Sequence, residues 1–267
     1  MSTKNSSSLR HRLFYLLPLI ILHTAYAQDG PQKQFILPVK KADTCTGKPS
    51  GIGPFILPAS LFTYGLLTVK VSELGHQNTE IKKLIWDNNP HRTFEVEDYT
   101  LFVPAIAVYG LNIAGLKGRN DLTDRTLIYG LSSALAGGIS LGIKATGTEL
   151  RPDASDKASF PSNHTALAFA AAEFLHQEYK GRLHWSVIAG GYVFAAGTGF
   201  MRMYNNKHWF GDVVAGAGIG MLSTRFVYLV YPGIKRLLGR NRQSGKDILV
   251  LPAYQDGRIG FTGILRL

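Results

Sequence analysis

The sequence predicts an all-α fold: a bundle of about five to six core helices, followed by a short C-terminal β-hairpin. Three observations predict it. Five apolar segments of helix length follow one another: Tyr99–Leu116, Thr126–Ile143, Thr165–His176, Trp185–Met201 and Val213–Tyr231. Small residues recur within them at helical spacing, as Gly138-x-x-x-Gly142 and Gly216-x-x-x-Gly220, a pattern that lets helices approach closely. Only the end of the chain reads as strand, with Ile248–Leu251, a turn around Asp256-Gly257, then Ile259–Leu267.

Composition agrees with a packed helical protein. Hydrophobic residues make up 45% and charged residues 18% of the 267, which excludes a disordered chain. The net charge of +11 points to anionic membrane, polyanions or phosphorylated substrates. Cys45 is the single cysteine, so there is neither an intramolecular disulfide nor a Cys-based zinc framework.

Residues 1–27 read as a signal peptide. Lys4, Arg10 and Arg12 form a basic start, Leu13–Leu22 an apolar stretch, and Ala25-Tyr26-Ala27 a small-x-small cleavage site. Residues 28–98 form an N-terminal lead-in with an apolar helix. Its first part, 28–53, is rich in Pro, Gly, Lys and Gln and reads as extended. The apolar run 54–72 contains Pro54 and Pro58, which place the start of a continuous helix near Ala59. Residues 73–98 read as a short helix and a loop, with Asp98 as a cap. The core runs over 99–232. Its Gly216-Ala-Gly-Ile-Gly220 run lies inside an apolar helix with no preceding strand, so it is a packing surface and not a dinucleotide loop.

A basic tail, 233–267, closes the chain and carries the hairpin. Lys235, Arg236, Arg240, Arg242 and Lys246 read either as a solvated helix end or as a contact for anionic lipid head groups. The core segments are interrupted by Gly, Ser and Thr. A membrane span needs about 20 mostly apolar residues, so they read as short spans or as buried helices.

Three segments hold the chemistry. Lys144 and Arg151-Pro152 end one apolar helix. Pro161-Ser162-Asn163-His164 opens another, where free backbone N–H groups suit an anion. Arg202, His208 and Asp212 make up the third. A His and an Asp four apart share one helix face, and the carboxylate can hold one ring nitrogen while the other attacks. Cations would neutralise a phosphoryl group, one histidine would attack and the other would protonate the leaving oxygen. No Asp/Glu/His cluster at metal-ligand spacing occurs in the sequence, and this chemistry calls for no metal and no cofactor.

The joint spacing resembles the type 2 phosphatidic acid phosphatase (PAP2) superfamily, with its K-x6-RP, PSGH and SR-x5-H-x3-D motifs. Here they stand as Lys144-x6-Arg151-Pro152, Pro161-Ser162-Asn163-His164 and Arg202-x5-His208-x3-Asp212. The resemblance covers about residues 99–232 and implies the PAP2 helical bundle. It also implies roles: His208 as nucleophile forming a phosphohistidine, Asp212 orienting it, and His164 as general acid. Lys144, Arg151, Arg202, Ser162 and the Asn163 N–H would bind the phosphate. Asn163 replaces the family glycine, where Asn tolerates positive φ but narrows the phosphate pocket. Met201 replaces the serine of the third motif.

The resemblance implies a phosphorylated lipid substrate, a membrane partner and no nucleic acid. The whole set resembles bacterial envelope members that dephosphorylate lipid A. Undecaprenyl diphosphate and phosphatidylglycerol phosphate or phosphatidate are the other substrates in view. A soluble periplasmic acid phosphatase of broad specificity is the alternative, and a non-catalytic binder of anionic lipid is a third reading. If 54–72 lies in the interface, five spans remain. Lys117, Arg119, Lys180, Arg182 and the basic tail then face the cytoplasm, and all three motifs face the periplasm.

Overall fold

Pro54 does not delay the first helix. The structure is a computed structural model and describes residues 51–89, 91–147, 149–240, 247–255 and 258–266. The signal peptide, the stretch up to residue 50, Arg242, Lys246 and the Asp256-Gly257 turn lie outside the described residues. Helix α1 runs over Gly53–Lys70, six residues earlier than the start expected at Ala59. Pro54 falls in its first turn, where the missing N–H has no partner to lose. Pro58 removes one interior bond and the helix continues through it.

Val71 is extended, and the chain turns there by 93° into α2, Ser72–Lys82, which widens into a π-turn over Lys83–Asp87. The expected helix over Tyr99–Leu116 is split. A single turn, α3 (Glu97–Thr100), is followed by α4 (Val103–Ile113), with Pro104 in its first turn. Asp98 does not cap: it lies inside α3, and Val96 holds the cap position with no side-chain bond.

The longer helices follow the expected order. Helix α5, Leu122–Lys144, is capped by Asp121, which accepts from the Asp124 N–H at 2.8 Å. Helix α6 spans Asn163–Tyr179 behind Ser162, and α7 spans Trp185–Tyr204 behind His184. Helix α8, Phe210–Arg240, passes through Pro232, so Lys235, Arg236 and Arg240 ride on a helix. Strands β1 (Asp247–Gln255) and β2 (Arg258–Arg266) pair antiparallel, from Asp247 opposite Arg266 to Gln255 opposite Arg258.

Helix α6 is the centre of the bundle and packs against α4, α5, α7 and α8. Ala166, Ala168, Ala170, Ala171, Ala172 and Phe174 are all buried. Close approach is set by α8. A Cβ at Gly216 would lie 2.5 Å from the Ser162 carbonyl, and one at Gly220 would lie 2.2 Å from that of Ala166. On the other side of α8, Gly218 meets Pro58 and Phe62 of α1. The Gly138/Gly142 pair behaves differently from expectation: a Cβ at either would meet nothing within 4 Å.

Two buried ion pairs lock the helices together. Glu173 accepts two bonds from Arg225, at 2.8 and 3.0 Å, and one from Tyr192 at 2.6 Å. Glu178 holds Arg125 at 3.2 Å and Tyr228 at 2.7 Å. Charges so buried are retained only when paired and hydrogen-bonded.

The bundle has two chemically distinct ends. At one, Arg182 donates to the Lys117 carbonyl at 3.3 Å, the Arg119 N–H donates to that of Glu178 at 2.9 Å, and Lys235 pairs with Asp124. All three sequence motifs gather at the other. Among the described helices, α5 and α8 are each long and apolar enough to cross a membrane, and α1 with α2 forms a bent apolar pair. Of the five expected spans, α5 and α8 have the length and composition to cross a membrane among the described helices. Helix α4 has 11 residues, about 16 Å at 1.5 Å per residue, too short to span alone.

Candidate active site

Four helix ends meet at the motif end. Lys144 occupies the last turn of α5 and Arg202 the last turn of α7. His164 stands in the first turn of α6 and Asp212 in that of α8. A backbone bond from the Ser162 N–H to the Asp212 carbonyl, 3.1 Å, fixes the two helix starts against each other.

His208 is the best-determined group. Its Nδ1 lies 3.2 Å from Asp212 Oδ2, and both side chains are buried. The pairing differs from the expected helix face, because His208 precedes α8. Asp212 folds back over the helix start instead, and its Oδ2 also accepts from the Trp209 N–H at 2.9 Å and from Ser159 Oγ at 2.5 Å. Burial pushes the imidazole down to about 4; Asp212 works against this, and Lys144 and Arg202 add to it. His208 is therefore neutral near pH 7, the form in which its other nitrogen carries a free lone pair.

Each motif cation is held by the protein. Lys144 Nζ donates to the carbonyls of Ala158 and Ser159 at 2.5 and 2.9 Å. Arg151 donates to Asp156 at 2.8 Å and to the Lys207 carbonyl at 3.3 Å. Arg202 donates to Glu97 at 3.0 Å. Preorganised donors of this kind stabilise developing negative charge without reorganising.

Ser162 and Asn163 are placed differently from one another. The Ser162 hydroxyl bonds Thr165 Oγ1 at 2.8 Å and caps α6 through the Thr165 N–H at 3.4 Å. Asn163 is the first residue of α6 and does not adopt positive φ. Its side chain turns toward α5, with Oδ1 3.8 Å from a Cβ built on Gly137 and without a hydrogen-bond partner. The expectation that this side chain narrows the phosphate pocket is not met; its backbone N–H remains at the helix start.

Sequence reasoning missed four acidic or polar contributors. Asp98 Oδ1 lies 2.8 Å from His164 Nε2. The buried Glu97 takes Arg202 and the Asn205 amide, at 3.0 and 2.7 Å. Ser159 donates to Asp212 Oδ2, and the Glu149 carboxyl beside that charge is pushed up to about 9, first by burial and then by the Asp212 charge. The acidic run Glu95, Glu97, Asp98 ahead of an apolar segment was the available signal. Helix α2 also reaches the site: Asn78 Oδ1 accepts from the Gly211 N–H at 2.9 Å, and Asn78 and Lys82 line a narrow cleft with Pro152, His208 and Trp209. Among the described residues, no group of three or more His, Cys, Asp or Glu is placed to hold a metal.

This geometry coincides with a family match. Residues 125–236 match the PAP2 superfamily. They are a PAP2 superfamily domain. The match contains every motif residue from Lys144 to Asp212. A lipid A 1-phosphatase of Porphyromonas gingivalis is 37% identical over 137 residues, which cover 51% of this chain and 31% of that relative. The chain thus matches about a third of the relative's length. Two crystal structures show weaker likeness, each at 20% identity. Aquifex aeolicus LpxE has a TM-score of 0.42, covering 56% of this chain and 93% of its own. A transmembrane PAP2-type phosphatidylglycerolphosphate phosphatase of Bacillus subtilis has 0.43, covering 67% and 98%. Asp98, Glu97 and Asn78 lie outside the PAP2 match, so the N-terminal segment completes the surroundings of the PAP2 domain's His164, Arg202 and Gly211.

Proposed function

We propose that the protein is a metal-independent phosphatase that hydrolyses a lipid phosphate monoester or diphosphate through a phosphohistidine. The observation that carries the reading is the buried His208–Asp212 pair among three fixed cations. His208 Nε2 attacks phosphorus while Asp212 holds Nδ1–H and stabilises the imidazolium that forms. The P–O bond to the lipid breaks, and His164 gives its proton to the leaving oxygen. Lys144, Arg151 and Arg202, with Ser162 and the Asn163 N–H, hold the phosphoryl oxygens. Water then attacks phosphorus, His164 accepts its proton, and inorganic phosphate and free His208 result.

The surface supports a lipid substrate. Ile106, Ile113, Leu127, Leu141, Val193 and Phe226 are exposed on α4, α5, α7 and α8, an apolar belt suited to acyl chains and not to water. A basic end opposite the site supports a periplasm-facing site in the bacterial envelope. The P. gingivalis relative makes lipid A the first substrate to test, ahead of undecaprenyl diphosphate and phosphatidylglycerol phosphate. The test is carbonate extraction of membranes, with phosphate release assayed in both fractions in the presence of EDTA and with vanadate as inhibitor. EDTA-resistant activity in the pellet, confined to lipids, is expected. Activity in the supernatant on p-nitrophenyl phosphate would instead establish a soluble acid phosphatase. A protein that binds anionic lipid without turnover would be a scaffold.

A further inference from the structure

The last four carbonyls of α7 need donors from beyond the helix. Three find them in the chain that follows. The Asn205 N–H donates to Met201 at 2.8 Å, those of Lys207 and His208 to Arg202 at 3.0 and 3.3 Å, and that of Asn206 to Met203 at 2.9 Å. The fourth carbonyl, of Tyr204, takes His91 Nε2 at 2.8 Å. His91 belongs to the strap that leads from the π-turn to α3, and its Nδ1 lies 2.6 Å from the Asn89 carbonyl. Asn89 is itself fixed at the end of the π-turn, with its N–H on the Trp86 carbonyl at 3.2 Å and its amide on that of Leu84 at 3.1 Å. The imidazole stacks on Tyr204, ring centroids 3.6 Å apart, and meets Trp86 edge-on at 4.9 Å. Both hydrogen-bond partners of this ring are carbonyl oxygens, which only accept. A neutral imidazole donates through one nitrogen and carries a lone pair on the other. A neutral His91 would therefore set a lone pair against a carbonyl at hydrogen-bond distance, whereas the imidazolium donates through both nitrogens. Each carbonyl also stands at the C-terminal end of a helical segment, where the backbone dipoles favour a cation.

We infer that His91 is a positioning residue: as an imidazolium it bridges the ends of the π-turn and of α7, and so clasps the strap that presents Glu97 and Asp98 to the site. Asn205 makes the rest of the clasp. Its side chain accepts from the Phe94 N–H at 3.1 Å and donates to the Phe94 carbonyl at 2.8 Å and to Glu97 at 2.7 Å. Glu97 in turn holds Arg202 at 3.0 Å, and Asp98 holds His164 at 2.8 Å. His91 acts only through these two carboxylates. The titratable and charged groups on the elements around it are Tyr204 and Arg202 on α7, Asp87 on the π-turn, and Arg92 and Glu95 on the strap. Arg202 is paired with Glu97, and Asp87 with Lys82 at 3.5 Å. Among the described residues no carboxylate pairs with the His91 ring, whose acceptors are carbonyls alone. Loss of its proton removes one of the two bonds together with the charge. The strap is then held more weakly as pH rises through the span in which imidazoles titrate. The kinetic consequence rests on the proposed roles of Arg202 and His164; the docking of the strap does not.

The full-length protein in detergent tests this by hydrogen exchange and kinetics. Exchange is followed in peptides that cover the strap and corrected for its intrinsic dependence on pH. In the wild type, protection around the Phe94 N–H is expected to fall about tenfold between about pH 5.5 and about pH 8. His91→Gln has one amide donor and does not titrate, so it should show the weaker protection at both pH values. His91→Arg keeps a cation with several donors and should keep the stronger protection at both. On a lipid phosphate, kcat of the wild type is expected to exceed that of His91→Gln about three- to tenfold near pH 5.5 and to match it near pH 8. Taking the ratio cancels the titration of His164, which the two proteins share. Wild-type protection that does not change with pH, the same step in His91→Gln, or a kcat ratio constant across the range overturns the inference. A wild type that turns over no phosphate ester would sink the proposed function, and the exchange measurement would still decide the role of His91.

Discussion

Asp98 Oδ1 lies 2.8 Å from His164 Nε2, and the two residues come from different parts of the chain: α3 of the N-terminal segment and the first turn of α6. The contact fixes the imidazole from outside the PAP2 domain. A carboxylate in that place orients a proton donor and keeps its proton at hand.

Removing the partner should therefore slow chemistry more than binding. For Asp98→Ala, kcat on a lipid phosphate is expected to fall between about tenfold and a hundredfold, with KM little changed. The loss should shrink on p-nitrophenyl phosphate, whose leaving group needs little protonation. Steady-state kinetics on the two substrates checks this; equal losses on both would contradict a role through His164.

Acid sensitivity should follow His208. Its folded value of about 4 lies below the ordinary 6.5. The imidazole then stays neutral, and able to attack, down to about pH 4. The corresponding limb of kcat/KM against pH should fall there, since that ratio reports the free enzyme. Stability moves in the same window. Between pH 4 and 6.5 the unfolded chain binds this proton and the folded chain does not, so stability rises with pH and is lost as pH falls. A kcat/KM limb near pH 6.5, or a wild-type melting profile whose pH dependence between 4 and 6.5 matches that of His208→Ala, would contradict the buried placement.

Packing between α6 and α8 should tolerate no side chain at Gly220. A methyl there would lie 2.2 Å from the Ala166 carbonyl, and overpacking of this kind costs about 1–3 kcal/mol or more. Gly138→Ala and Gly142→Ala meet open space and should leave thermal stability unchanged or slightly raised. Melting curves of the three variants separate the two glycine pairs, which are indistinguishable in sequence.

That contrast shows where the sequence was readable. Lys144, Arg151, His164, Arg202, His208 and Asp212 stand at helix ends or in short connections, so their spacing is set by local geometry and survives as a motif. Glycine spacing shows that a helix face is small, and not whether another helix covers it. Asp98–His164 and Glu97–Arg202 span 66 and 105 positions and depend on the split between α3 and α4, which Pro104 makes and which a continuous apolar run conceals.

The central claim is the covalent bond to His208. Rapid acid-free quench of the protein during turnover of a 32P-labelled lipid phosphate, followed by peptide mapping, tests it most directly. The account predicts acid-labile, alkali-stable label on the peptide that contains His208, and neither label nor turnover in His208→Ala. Turnover that persists in His208→Ala, or label found on another residue, would contradict it.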